Sequence, residues 1–95
     1  MKFLAIEKDV TGVSEAEYLP HLKSEARRVW ELYLEGVIRE IYLRGDRQDA
    51  VIVMECDTED AARDILKTLP LAKQGLIDFD IVPLVPYPGF SRLFV

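Results

Sequence analysis

Along the chain the apolar positions change period several times, and each change marks an element. Residues 2–7, KFLAIE, are short and apolar with no helical stripe, which predicts a first strand. After the loop KDVTGV, Ser14 and Glu17 have the spacing of a capping box, in which hydroxyl and carboxylate satisfy backbone N–H groups at a helix start. Leu22, Ala26, Val29, Trp30 and Tyr33 then recur at helical spacing until Gly36 stops the run, with Lys23, Arg27, Glu31 and Glu35 mostly on other faces. Pro20 lacks an N–H, so it restarts this helix near His21 and leaves Ser14 to Leu19 as a separate first turn or two.

The period then drops to two. VIREIYLR (37–44) and AVIVMEC (50–56) flank GDRQD, which has the residues of a tight turn, and together they predict a hairpin. Asp57 or Thr58 caps a second helix whose stripe is Ala61, Ala62, Ile65, Leu66 and Leu69, with Pro70 expected to end it and PLAKQG to form a loop. LIDFDIVPLV (76–85) alternates Ile77, Phe79 and Ile81 against Asp78 and Asp80, as a strand with one buried face does. Pro83 puts the end of that strand on a sheet edge. The order β-α-β-β-α-β predicts an α+β, ferredoxin-like subunit over residues 1–95, with two helices on one face of a four-stranded antiparallel sheet. The other face stays open, and the apolar tail PYPGFSRLFV is expected to dock, on a partner subunit for instance.

Composition narrows the partners. Ninety-five residues suit one compact domain with a modest core, which raises the expectation of a homo-oligomer. A net charge of -5 and no basic run longer than Arg27-Arg28 give no footprint for nucleic acid or an anionic membrane. The single cysteine, Cys56, lies in an apolar run and reads as a small core residue. With no charged-then-apolar leader and no long apolar segment, a cytoplasmic location is expected. CxxC, HxxxH, GxGxxG and phosphate-loop patterns do not occur, so neither a metal nor a nucleotide cofactor is expected.

A hairpin centred between Asp46 and Arg47 would set Leu43 against Ala50, Ile41 against Ile52 and Arg39 against Met54, all facing the helices. Tyr42, Glu40 and Ile38 would then share the opposite face. An unpaired buried guanidinium costs on the order of several kcal/mol, so Arg39 there needs an anionic partner or a water-filled pocket, which makes it a site candidate, or else forms a structural ion pair with Glu35 or Glu25. His21 is the only histidine and titrates near neutrality without help, which suits a general base, although a solvent-exposed helix start explains it equally. Trp30, Tyr33 and Phe79 suit a core, and also the wall of a pocket for a planar ring. Asp78 and Asp80 stand about 6 to 7 Å apart along one strand face, too far for a shared proton and suited to a polar face or salt bridges between subunits.

LPLAKQGLIDFDIVPL and EGVIREIYLR, with the capped helix before them, resemble the muconolactone isomerase family. The likeness runs through Glu35, Gly36, Arg39, Leu69, Pro70, Leu71, Asp78 and Asp80, and Arg39 and Glu25 are the polar positions that carry across most directly. It implies a dimeric α+β barrel, in which paired ferredoxin-like subunits bring their sheets together and line small-molecule pockets. It also implies a cofactor-free isomerase acting on a lactone or aromatic-derived acid. Such a reaction needs a base to move a proton alpha to a carbonyl and a donor to hold the enolate oxygen. His21, Glu40, Asp78 or Asp80 could be the base and Arg39, Tyr42 or Tyr33 the donor, with Glu25, Trp30, Tyr33 and Tyr42 around a small hydrophobic or aromatic acid. The family's His after the strand-two Arg is Glu40 in this chain. Alternatives are a binding or assembly module without chemistry and a protein like the cofactor-free monooxygenases of the same barrel group.

Overall fold

The computed structural model describes residues 1–95. The chain runs β1 (Lys2–Asp9), α1 (Glu15–Tyr18), a 3-10 turn (Leu19–His21), α2 (Leu22–Leu34), β2 (Ile38–Leu43), β3 (Ala50–Glu55), α3 (Glu59–Leu66), α4 (Pro70–Lys73), β4 (Ile77–Leu84) and a C-terminal 3-10 helix (Gly89–Phe94). The strands form one antiparallel sheet in the order β2-β3-β1-β4. This is the ferredoxin-like α+β arrangement that the periodicity predicts.

Local chemistry accounts for the boundaries. The Glu17 carboxylate accepts the Ser14 N–H at 3.3 Å, one arm of the capping box, and the Thr58 hydroxyl accepts the Ala61 N–H at 3.0 Å. Pro20 sits in the 3-10 turn that separates α1 from α2. Gly36 ends α2 at φ +78°, a conformation that disfavours a side chain. Pro70 does not close α3, which already ends at Leu66; it opens α4, because a missing N–H costs nothing at the first helical position. The expected loop PLAKQG is thus partly helical.

One face of the sheet carries the core. Phe3, Ala5, Ile38, Ile52, Met54, Ile77 and Phe79 pack under Leu32 of α2, Ala62 and Leu66 of α3, Leu69, and Leu71 of α4. Cys56 is buried at the end of β3. On the opposite face Leu4, Ile6, Val51 and Val53 are half-buried, with Tyr42, Val82 and Leu84 exposed beside them. Asp78 and Asp80 lie there too, both facing Lys8 across the β1/β4 ladder, at 3.9 and 2.8 Å. No helix is long and apolar enough to cross a membrane.

The hairpin differs from the expectation at one position. Leu43 pairs with Ala50 and Ile41 with Ile52 as predicted, but a bulge falls between Ile38 and Glu40, so Ile38 rather than Arg39 opposes Met54. Ile38 therefore enters the core, at 1% exposure, and Arg39 is left exposed. The extra residue resets the alternation of side chains.

Candidate functional site

The helices cover one face of the sheet unevenly, and the site is the cleft left between α2 and the strands beneath it. Helix α2 is tied to its helical neighbours: the Arg28 Nε–H donates to the Thr68 hydroxyl at 2.9 Å, and the Glu25 carboxylate accepts the Leu71 N–H at 2.9 Å. Glu25 thereby satisfies a free amide in the first turn of α4. A cleft lies between α2 and strands β1, β2 and β3.

The cleft has two continuous parts that share Val29 and Ile41. The outer part, 460 Å³, is walled by Ala26, Val29, Trp30, Tyr33 and Ile41 alone. The Trp30 and Tyr33 rings stack on each other, centroids 5.8 Å apart, and both remain exposed. They are not core residues. The inner part, 760 Å³, is acidic: Glu7, Asp9, Glu15, Glu25 and Asp49 line it against the single guanidinium of Arg47.

Glu7 and Glu25 are half-buried, and each is held by one oxygen. Glu7 Oε1 accepts the Ala50 N–H at 3.0 Å and Glu25 Oε1 accepts the Leu71 N–H at 2.9 Å, which leaves the second oxygen of each without a protein donor. Burial raises the Glu25 carboxyl above its ordinary range, and the Leu71 N–H offsets part of that rise. Burial likewise raises Glu7, against the Ala50 N–H, and the charges of Asp49, Asp9 and Glu25 push it further the same way. The repulsion between Glu7 and Glu25 is mutual, and the charges of Asp49 and Asp9 act on Glu7 in addition.

Asp49 is buried and bonded to the Arg47 guanidinium, which also lies 3.6 Å from Asp9. Burial works to raise Asp49, but the bonds from Arg47 and Asp9 and the arginine charges hold it below its usual range. The partner bond to Asp49 raises Asp9. Carboxylate oxygens of Glu7, Asp9 and Asp49 lie within 4.8 Å of one another, close enough to share a cation; Arg47 supplies positive charge to two of them. The Tyr18 hydroxyl, on the same wall, donates to the Leu76 carbonyl at 3.3 Å.

Of the residues singled out in the sequence, the structure gathers Glu25, Trp30 and Tyr33 on the cleft. Arg39 lies outside it, its Nε–H donating to the Gly36 carbonyl at 2.6 Å. Glu40 and Tyr42 sit on the open sheet face, where the Tyr42 hydroxyl donates to Glu40 at 2.9 Å. His21 is half-buried at the start of α2, its carbonyl accepting the Ser24 hydroxyl, and is not among the cleft-lining residues. Glu7 and Asp49 went unmarked in the sequence. A signal for Glu7 was there: it follows Phe3 and Ala5 in phase on β1, a carboxylate where the strand's buried face continues.

No protein-family model and no curated protein matches the chain. Solved structures do. Muconolactone isomerase superimposes with a TM-score of 0.75 at 21% identity, over 93% of this chain and 92% of that one. The chain has the muconolactone isomerase-like fold. The 5-chloro-2-hydroxyhydroquinone dehydrochlorinase of Burkholderia phenoliruptrix AC1100, in complex with 2,5-dihydroxybenzoquinone, gives 0.70 at 17% identity, over 94% of this chain and 98% of that one. At such identities the likeness is one of fold, and this fold carries a small-molecule complex in the dehydrochlorinase.

Proposed function

We propose that this protein is a cofactor-free enzyme that moves a proton on a small unsaturated ring, an isomerase-like reaction carried out in the α2–β2/β3 cleft. The observation that carries this reading is the pair Glu7 and Glu25, each pinned through one oxygen, both raised by burial, and both lining the inner end of a cleft with an aromatic wall. The added like charges of Asp49 and Asp9 at Glu7 are the difference on which we assign the roles. Glu25 is the base: its carboxylate takes a proton from the carbon beside a ring carbonyl, and the C–H electron pair moves to the carbonyl oxygen. Glu7, the carboxyl with like charges against it, holds a proton and faces the developing oxyanion as a hydrogen-bond donor. Glu25 returns its proton further along the conjugated system, so the double bond moves and the protein ends unchanged.

The lining also bears on the substrate. Even with Glu7 protonated, the four remaining acidic groups outnumber the one guanidinium and repel an anion, so a neutral lactone or oxygenated ring suits the inner cleft of one chain better than a free carboxylate does. Arg39, Glu40 and Tyr42 then act elsewhere, at the open sheet face and edge. That face, with Leu4, Ile6, Val51, Val53, Val82 and Leu84, is the surface through which we expect a second copy to associate.

The test is hydrogen exchange into unsaturated lactones and ring ketones in D2O, followed by NMR without added cofactor. The wild-type protein should place deuterium at the carbon alpha to the carbonyl, and Glu25→Gln should slow this about 10²-fold or more. Exchange no faster than in buffer, or unaltered by Glu25→Gln, would sink the proposal. Ring binding that persists without exchange identifies a binding module instead.

A further inference from the structure

A glutamate side chain rotates about several bonds, so Glu25 can act on a bound ring only if something fixes where its carboxylate sits. The Leu71 N–H fixes one oxygen, at 2.9 Å. That bond joins two separate elements, α2 and α4, so its length and direction depend on how the two are held against each other. Burial does little to hold them at this end. Leu32 is the only fully buried residue of α2 and lies about two turns beyond Glu25, while Leu22 and Ala26, on either side of Glu25, are exposed.

Arg28 makes a second connection. It follows Glu25 by one helical turn and so shares its side of α2, and its Nε–H donates to the Thr68 hydroxyl at 2.9 Å. Thr68 lies in the connection between α3 and α4, one residue before Leu69 and close to Leu71. Its hydroxyl is itself held, donating to the Ile65 carbonyl at 2.6 Å, and Leu69 beside it is completely buried. The acceptor that meets Arg28 is therefore a fixed one. We propose that Arg28 is a positioning residue for Glu25: through Thr68 it sets the first half of α2 against the α3–α4 connection, so that Leu71 holds one oxygen of Glu25 and the other stays free on the cleft. The inference rests on Glu25 as the base put forward above. Two bonds between the same segments fix a rotation that one bond leaves open. The role is one of place and not of charge: burial and the Leu71 N–H are what shift the Glu25 carboxyl, and the Arg28 guanidinium is turned to Thr68 and, at 3.7 Å, to Glu31.

The backbone amide of Leu71, followed by NMR, reports the bond to Glu25 with no substrate present, and the deuterium exchange assay reports the reaction. Arg28 is half-buried and Thr68 exposed, so neither change empties the core. Arg28→Met and Thr68→Val should each move the Leu71 amide proton upfield, as a weakened hydrogen bond does, and slow exchange about tenfold in kcat with KM unchanged. The double variant should be no slower than either single one, since both break the same connection. Thr68→Ser keeps the hydroxyl and should rescue both readouts. Glu31→Gln removes only the ion pair and should alter neither. A Leu71 amide that stays in place in Arg28→Met overturns the proposal, and so does an amide shift with unaltered exchange or with a loss that falls on KM. Exchange absent from the wild-type protein, or indifferent to Glu25→Gln, sinks the isomerase reading instead; the amide alone then decides whether Arg28 positions the carboxylate.

Discussion

The two halves of the helical layer lie on the same face of the same sheet, yet one is closed and the other open. Over β1 and β4, α3 and α4 bury Ala62, Leu66, Leu69 and Leu71 against Phe3, Ile77 and Phe79. Over β2 and β3, the thirteen residues of α2 bury only Leu32 fully, while Trp30, Tyr33 and Leu34 stay exposed. The difference comes from size and polarity. Ala61 and Ala62 of α3 pack into the core, whereas α2 adds only Leu32 and Val29 to it, keeps Glu25 and two rings on the cleft, and is bonded sideways to Thr68 and Leu71. One half supplies stability, and the other keeps a cleft at stability's expense.

The comparison can be broken most sharply by making the same deletion on both sides. Leu66→Ala, at a residue 3% exposed, should cost about 2–5 kcal/mol in urea unfolding, since it removes buried methyl groups and leaves a cavity. A loss well below that range would mean that the closed half is not the stabilising one. A middle-sized effect belongs to the acidic cleft. Glu7 has a folded-state pKa raised above its ordinary 4.5, so its contribution to stability is fully present below that value and is lost as pH rises through the folded pKa. Glu7→Gln keeps an acceptor for the Ala50 N–H without the charge, so it should raise Tm at neutral pH, shrink the advantage near pH 4, and flatten the pH profile between them. A Tm that falls at neutral pH would show that the Glu7 carboxyl is not buried there at a cost. The smallest effect is the counterpart of the first: Leu34→Ala, at a residue 67% exposed on α2, should stay within about 0.5 kcal/mol in the same unfolding measurement.

Much of this contrast was legible along the chain. The stripe Ala61, Ala62, Ile65, Leu66 and the alternation Ile77, Phe79, Ile81 specify the closed half, because period and burial coincide there. The cleft was only half legible. Glu25, Trp30 and Tyr33 were marked, yet on periodicity the two rings fit a core, since spacing records which face a residue occupies and not how far the next layer stands from it. Arg39 shows the sharper limit. A single extra residue in β2 turned it off the helix-covered face and put Ile38 there, and nothing in VIREIYLR signals a bulge.

By itself, then, the sequence determined the order of the four strands and two main helices, the helix starts at Ser14 and at Asp57 or Thr58, the stop at Gly36 and the face taken by Asp78 and Asp80, because each depends on neighbours within a few residues. Only the tertiary structure decided that Glu7 and Glu25 meet in one cleft, from β1 and α2, and that each is pinned by an amide of a third element, Ala50 on β3 or Leu71 on α4. Those partners lie 43 and 46 residues away. Burial and charge at such distances are properties of packing, which no local period encodes.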